Sequence, residues 1–165
     1  DFADDVGIRF FVPEEIFVSM DANYSFAETK SSKEVIIMVG YQGSGKSTIA
    51  HDLQKKGDYK IISGDVCKTI AKTISEAKKY VNTSSIIFDA TNGTKERREI
   101  LIEFAQRHDL PIRCLWLNVS IDEAIDRVKQ REMNGGCHVP KIALYTFRKR
   151  FEEPNEDEGF DLTVL

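Results

Sequence analysis

Nine consecutive residues carry the clearest chemical signal in the chain: Gly40-Tyr41-Gln42-Gly43-Ser44-Gly45-Lys46-Ser47-Thr48. They have the Gly-x4-Gly-Lys-Ser spacing of a phosphate-binding loop. The loop sits directly after the apolar run Val35 to Val39 and directly before a helical stretch from Ile49 to Lys56. Glycines let the backbone turn its N–H groups toward phosphate oxygens, and the helix N-terminus adds the positive end of its dipole. Lys46 is placed to reach the β and γ phosphates of a nucleoside triphosphate, and Ser47 to hold Mg²⁺ through its hydroxyl. Gly40, Gln42, Gly43, Ser44, Gly45, Lys46, Ser47 and Thr48 together are expected to bind ATP.

Phosphoryl transfer asks a protein for positioning, for charge stabilisation and for a group that takes the acceptor's proton. Asp65 is the candidate for that group, because it directly follows the apolar pair Ile61-Ile62 and the turn Ser63-Gly64. A carboxylate there either accepts a hydroxyl proton or caps the next helix, and the residues alone weigh the two evenly. Asp89 closes the strand-like run Ser85 to Phe88, the placement of a carboxylate that holds Mg²⁺ or its waters; a plain strand-end turn is the alternative. Thr91 and Asn92 follow, as further hydrogen-bonding groups of the same crevice or as turn residues. Arg127 to Pro140 reads as a lid: a basic helix end, the Gly135-Gly136 hinge and a proline that starts the next helix. Closing it brings Arg131, nearest the hinge, onto the transferring phosphate, with Arg127 one turn earlier on the same face. An ordinary helical hairpin with surface arginines is the other reading.

These groups need a scaffold that gathers positions far apart in sequence. Helical spacing from Val66 to about Val81, with Ile70, Ile74 and Ala77 in phase, predicts one helix there. Thr94 predicts the N-cap of a helix that runs to about His108, ahead of Pro111. Ile112 to Leu117 reads as a strand, Ser120-x-x-Glu123 as a capping box, Pro140 as the first position of a helix through Phe151, and 160–165 as a last strand. Strands alternating with helices call for right-handed crossovers and a parallel sheet covered on both faces. The expected fold is therefore a three-layer α/β domain of the P-loop NTPase kinase type, with a mostly parallel sheet and a helical lid. Its ligands belong at the C-terminal strand ends.

The 165 residues suit one domain with a short extra segment. A formal charge of −4 argues against a uniformly basic nucleic-acid coat while leaving room for a local groove. Basic residues gather in Lys95-Arg97-Arg98, Arg127-Lys129-Arg131 and Arg148-Lys149-Arg150. Cys67, Cys114 and Cys137 are an odd count without metal-ligand spacing and read as reduced thiols of an intracellular protein. The three histidines make no metal pattern, no apolar stretch is long enough to span a bilayer, and no signal peptide is visible. Asp1 in place of Met leads us to expect a fragment.

Taken together, Val39 to Thr48, Asp65, Phe88-Asp89-Ala90-Thr91-Asn92, Arg131-Glu132-Met133 and Tyr145-x-x-Arg148-Lys149-x-Phe151-Glu152-x-Pro154 with Glu158-Gly159-Phe160 resemble the kinase module of the polynucleotide kinase 3′-phosphatases. The loop is shared by many families, whereas the later blocks are far more specific. The likeness runs from about Val35 to Leu165. Residues 1–20 are similar to the end of the phosphatase domain that precedes the kinase in those bifunctional enzymes, so the expected organisation is a HAD-type phosphatase stub at 1–20, a linker at 21–33 and a P-loop polynucleotide kinase domain at 34–165. The stub lacks the Asp-x-Asp-x-Thr nucleophile motif, and no phosphatase activity is expected of it.

The resemblance implies ATP-dependent phosphorylation of 5′-hydroxyl ends of nucleic acid, DNA ahead of RNA, in strand-break repair, with a nuclear location if the source is eukaryotic. It implies Asp65 as general base, Lys46 and Arg131 as catalytic cations, Ser47 and Asp89 as the Mg²⁺ site, and Asp65, Lys68, Asp89, Thr91 and Asn92 as substrate contacts. Where relatives often carry arginine before the base, this chain has Gly64, and Lys68 is the expected substitute for gripping the substrate backbone. A small-molecule or nucleoside kinase of the same architecture is the runner-up. A nucleotide-controlled switch module is the third reading.

Overall fold

The computed structural model describes residues 32–165, so the expected phosphatase stub and nearly all of the expected linker lie outside the described residues. Five strands form the sheet: β1 (Val35–Val39), β2 (Tyr59–Ser63), β3 (Ser85–Asp89), β4 (Ile112–Trp116) and β5 (Asp161–Val164). Their spatial order is β2-β3-β1-β4-β5, and every pairing is parallel. The mostly parallel α/β sheet read from the sequence is thus observed.

β1 lies at the centre, with all five side chains buried, because apolar residues on both faces of the strand fit a sheet covered on both sides. Alternation divides the core in two. Val35, Ile37 and Val39 point into one cluster with Leu101, Phe104 and Ala105, while Ile36 and Met38 point into another with Ile49, Ala50 and Leu53. The first cluster is closed by α4 (Lys95–Arg107) and by Ala77 of α3 (Ile70–Lys78). The second is closed by α1 (Lys46–Lys56). α5 (Ile121–Met133) and α6 (Lys141–Arg150) pack on each other beside the loop, burying Ala124, Val128 and Leu144.

Capping explains most of the helix boundaries. The Thr94 hydroxyl accepts from Arg97 N, and the Ser120 hydroxyl accepts from Glu123 N, as the sequence predicts. Pro140 stands one place earlier than expected, at the N-cap of α6. The single helix expected from Val66 to Val81 is instead two: a four-residue turn α2 (Gly64–Cys67), then α3. Lys68 between them has φ of +69°, and Thr69 caps α3 by accepting from Lys72 N. A left-handed residue cannot continue an α-helix, and the cap satisfies the new helix's first donors. Ser63, not Asp65, is the N-cap of α2, which leaves the Asp65 carboxylate exposed in the first turn.

Two buried ion pairs anchor the periphery of the sheet. Glu34, at the start of β1, receives Arg113 Nε and Nη2 at 2.8 and 2.7 Å. Arg98 of α4 donates from Nε and Nη2 to Glu158 at 2.9 and 3.1 Å, fixing the turn before β5, and its Nη1 donates to Asn92 O at 3.1 Å. Cys114 is wholly buried in β4, and burial pushes its thiol up to about 12. Among the described residues, no helix is long and apolar enough to cross a membrane.

Removing one partner of a buried pair strands the other charge. Arg98→Ala is therefore expected to lower unfolding free energy by about 3–5 kcal/mol, read from urea denaturation against the unmutated protein.

Candidate active site

Strand ends bring the predicted residues together. The phosphate loop leaves the C-terminal end of β1, Asp65 follows β2, and Asp89 ends β3. The loop's shape depends on glycine where space or backbone sign forbids a side chain. Gly43 has φ of +84°, and a Cβ there would meet Val128 Cγ2 at 2.9 Å and Ala124 O at 3.1 Å. Close packing of the loop on α5 is what a side chain would disrupt.

Lys46 is buried, with Nζ donating to Tyr41 O at 2.6 Å and lying 3.4 Å from Ser44 Oγ. Burial lowers its pKa to about 8; the charge of Asp89 pulls it back up, Arg131 pushes it further down, and Asp65 pulls it up. One ammonium thus feels the expected base, the expected metal carboxylate and the expected lid arginine. Ser47 Oγ donates to Asp89 Oδ2 at 2.7 Å, so a hydroxyl and a carboxylate oxygen converge beside the loop. Two hard oxygen donors on rigid elements suit a Mg²⁺ ion that takes its remaining ligands from phosphates and water. Thr48 is exposed in the first turn of α1, and Arg131 is exposed at the last turn of α5.

Asn92 is placed differently from expectation. Its side chain is fully buried, Nδ2 donates to Met38 O at 2.8 Å, and Oδ1 accepts from Arg97 Nε at 3.0 Å. The amide ties the end of β1 to the loop after β3, a positioning part rather than a group presented to substrate. Gly40 N donating to Thr91 O at 3.1 Å reinforces the same seam. Lys68 is exposed at the break between α2 and α3.

Two residues matter more here than their sequence positions signal. Arg127 Nη1 donates to Ser44 O at 2.9 Å while Nη2 donates to Glu123 at 3.1 Å, so Arg127 braces the phosphate loop, and Arg131, the arginine expected in a lid, has no such tie among the described residues. Arg97 lies with Nη2 3.8 Å from the point where a Cβ on Gly64 would stand. Same-face spacing on α5 hinted at Arg127; no local pattern marks Arg97.

A five-stranded parallel sheet in this order, with a Gly-x4-Gly-Lys-Ser loop after its central strand, defines a nucleotide-binding module of the P-loop kinase type. Residues 35–154 match the AAA domain family, and the chain belongs to it. The chain is similar to the bifunctional polynucleotide phosphatase/kinase of Schizosaccharomyces pombe, at 30% identity over 96% of this chain and 44% of that protein. It therefore spans less than half the length of that relative. Among solved structures it resembles Chaetomium thermophilum Kti12 in complex with ADP-AlF3, with a TM-score of 0.65 and 19% identity over 79% of this chain and 88% of that one. It also resembles a chain of the Pnkp1/Rnl/Hen1 RNA repair complex, with a TM-score of 0.62 and 18% identity over 74% of this chain and 45% of that one. Identities this low show the fold alone. The family likeness read from the motif blocks agrees with the S. pombe relative.

A triphosphate seated in the loop favours the charged form of Lys46. With the free group's pKa at about 8, nucleotide binding at pH 8 is expected to draw up about half a proton per site, more at higher pH and less at lower pH. Calorimetric titration in buffers of different ionisation enthalpy measures this. Lys46→Arg is expected to abolish it, because arginine stays protonated throughout.

Proposed function

We propose that the chain is a polynucleotide 5′-hydroxyl kinase: it transfers the γ-phosphoryl group of ATP, with Mg²⁺, to the 5′-hydroxyl end of a nucleic-acid strand, with DNA strand-break repair as its setting. The observation that carries this is an open groove of about 480 Å³ along the edge strand β2, lined by Lys60, Lys72 and Lys79. Its walls include Ser63 and Val66, the residues that bracket Gly64-Asp65. One carboxylate, Glu76, shares the groove and pairs with Lys79 at 3.0 Å. A lysine-lined track whose walls include the residues flanking the candidate base fits a phosphodiester chain better than a free nucleoside, which has no backbone charge to meet. The polynucleotide phosphatase/kinase named among the relatives supports the same acceptor.

In this mechanism the triphosphate lies along the loop N–H groups and Lys46, while Ser47 and Asp89 hold the metal. A Mg²⁺ ion held by Ser47 and Asp89 would supply positive charge to the triphosphate. Asp65, exposed in the first turn of α2, orients the 5′-hydroxyl and accepts its proton as the oxygen bonds to the γ-phosphorus. The bond from that phosphorus to the bridging oxygen breaks, and ADP leaves. Arg131 swings in from the end of α5 to meet charge on the transferring group.

Labelled γ-phosphate is expected to move from ATP to a 5′-hydroxyl oligodeoxynucleotide, and far more weakly to a free nucleoside. Asp65→Asn is expected to lower kcat by roughly 10²–10⁴ while nucleotide affinity holds. Transfer to the nucleoside alone would make the small-molecule kinase the better account. Nucleotide binding without any transfer would favour the switch module.

A further inference from the structure

A second cavity, of about 240 Å³, opens on another side of the crevice, between the phosphate loop, the segment after β3, the start of α4 and one face of α6. Its polar lining is Gln42, Thr91, Thr94, Arg97, Thr146 and Arg150, with no acidic residue in the wall. Arg97 is the unusual member. Its Nε is fixed by Asn92 Oδ1 at 3.0 Å, its side chain is half-buried, and burial alone pulls its pKa down. No carboxylate forms an ion pair with it among the described residues. A guanidinium taken partly out of water without a counter-charge is unfavourable unless an anion joins it.

Its neighbours point to where that anion belongs. Nη2 lies 3.8 Å from the Cβ position of Gly64, the residue covalently before Asp65. Gly64 itself cannot carry a contact group, because a Cβ there would stand 2.6 Å from Ala90 Cβ. The guanidinium therefore occupies the approach that a side chain at 64 would otherwise fill. Arg150, exposed on α6, and the hydroxyls of Thr91, Thr94 and Thr146 add donors around the same space. Gln42 Oε1 is buried without a hydrogen-bond partner. Its amide can present Nε2 by a half-turn, the assignment of the two ends being set by what they meet.

We propose that this cavity is a phosphodiester subsite for the acceptor strand, with Arg97 as its principal charge and Arg150 at its rim. The subsite rests on the polynucleotide reading above and deepens it. Arg97 holds an internal phosphate while the 5′-terminal hydroxyl meets Asp65. It is thus a substrate-positioning residue and takes no part in the proton transfer.

The test is a set of labelled 5′-hydroxyl oligodeoxynucleotides, each with one neutral methylphosphonate at the first, second or third linkage. Binding and phosphorylation are measured with the unmutated protein, Arg97→Gln, Arg97→Lys and Arg150→Gln. One linkage is expected to weaken strand binding by on the order of tenfold when neutralised. Arg97→Gln is expected to weaken the intact strand comparably, to be indifferent to that linkage, and to lower the salt slope by about 0.7. Arg97→Lys should restore part of the loss. Arg97→Gln that binds the intact strand normally, while the unmutated protein phosphorylates it, overturns the subsite alone. An unmutated protein that neither binds nor phosphorylates the strand overturns the polynucleotide reading, and the ligand assigned here with it. Should Arg97→Gln fail to fold, a flat methylphosphonate profile in both the unmutated protein and Arg150→Gln overturns the subsite without it.

Discussion

The buried amide of Asn92 is the constraint on which the active-site geometry depends. A parallel sheet fixes its strands along their length but leaves their C-terminal ends free to splay, and those ends here deliver the phosphate loop and the carboxylates of Asp89 and Asp65 within one ammonium's electrostatic reach. Asn92 donates into the carbonyl at the end of β1, accepts from Arg97 and yields its own carbonyl to Arg98. It does so with φ of +44°, a left-handed backbone that asparagine tolerates better than most residues. Because Arg98 is clamped by Glu158, the clasp extends from the loop to the turn before the last strand. The glycine-rich loop is pliable by composition, and it keeps one shape because both of its flanks are held.

Charge placement follows from that frame. Lys46 is surrounded by polypeptide rather than water, which disfavours its charge, while Asp89 and Asp65 favour it and Arg131 opposes it. The balance is suited to a polyanion. A triphosphate supplies negative charge to Lys46 and Arg131 together, and turns their mutual repulsion into shared attraction to one ligand.

Much of this was legible in the sequence for a physical reason: phosphate loops are contiguous, and strand ends are marked by apolar runs that stop at a polar residue. Gly40 to Thr48, Asp65 and Asp89 could be placed because each sits immediately after such a run. The parallel sheet followed from the alternation of strands and helices. The break at Lys68 was not legible, since Ile70, Ile74 and Ala77 keep helical phase on one side of it and a single left-handed residue leaves no periodic trace. After a strand, Asn92 reads equally as a crevice group or a turn residue; its partner, Met38, lies 54 positions away. Arg97 is hidden altogether, and the spacing that puts Arg127 on a face with Arg131 does not record its contact with Ser44.

The two arginines of α5 show how one helix can supply both a tied and an untied charge. They are four residues apart and so share a face. Arg127 lies where α5 packs on Gly43, and its bonds to Ser44 O and Glu123 make it part of the loop's wall. Arg131 is one turn further out, at the exposed helix end, where its own carbonyl accepts from Gly136 N at 2.7 Å as the chain turns into the 133–140 segment. It has no ion-pair partner among the described residues, yet its charge still reaches Lys46. A guanidinium and a buried ammonium repel each other, so the two cations sit together favourably only with negative charge between them.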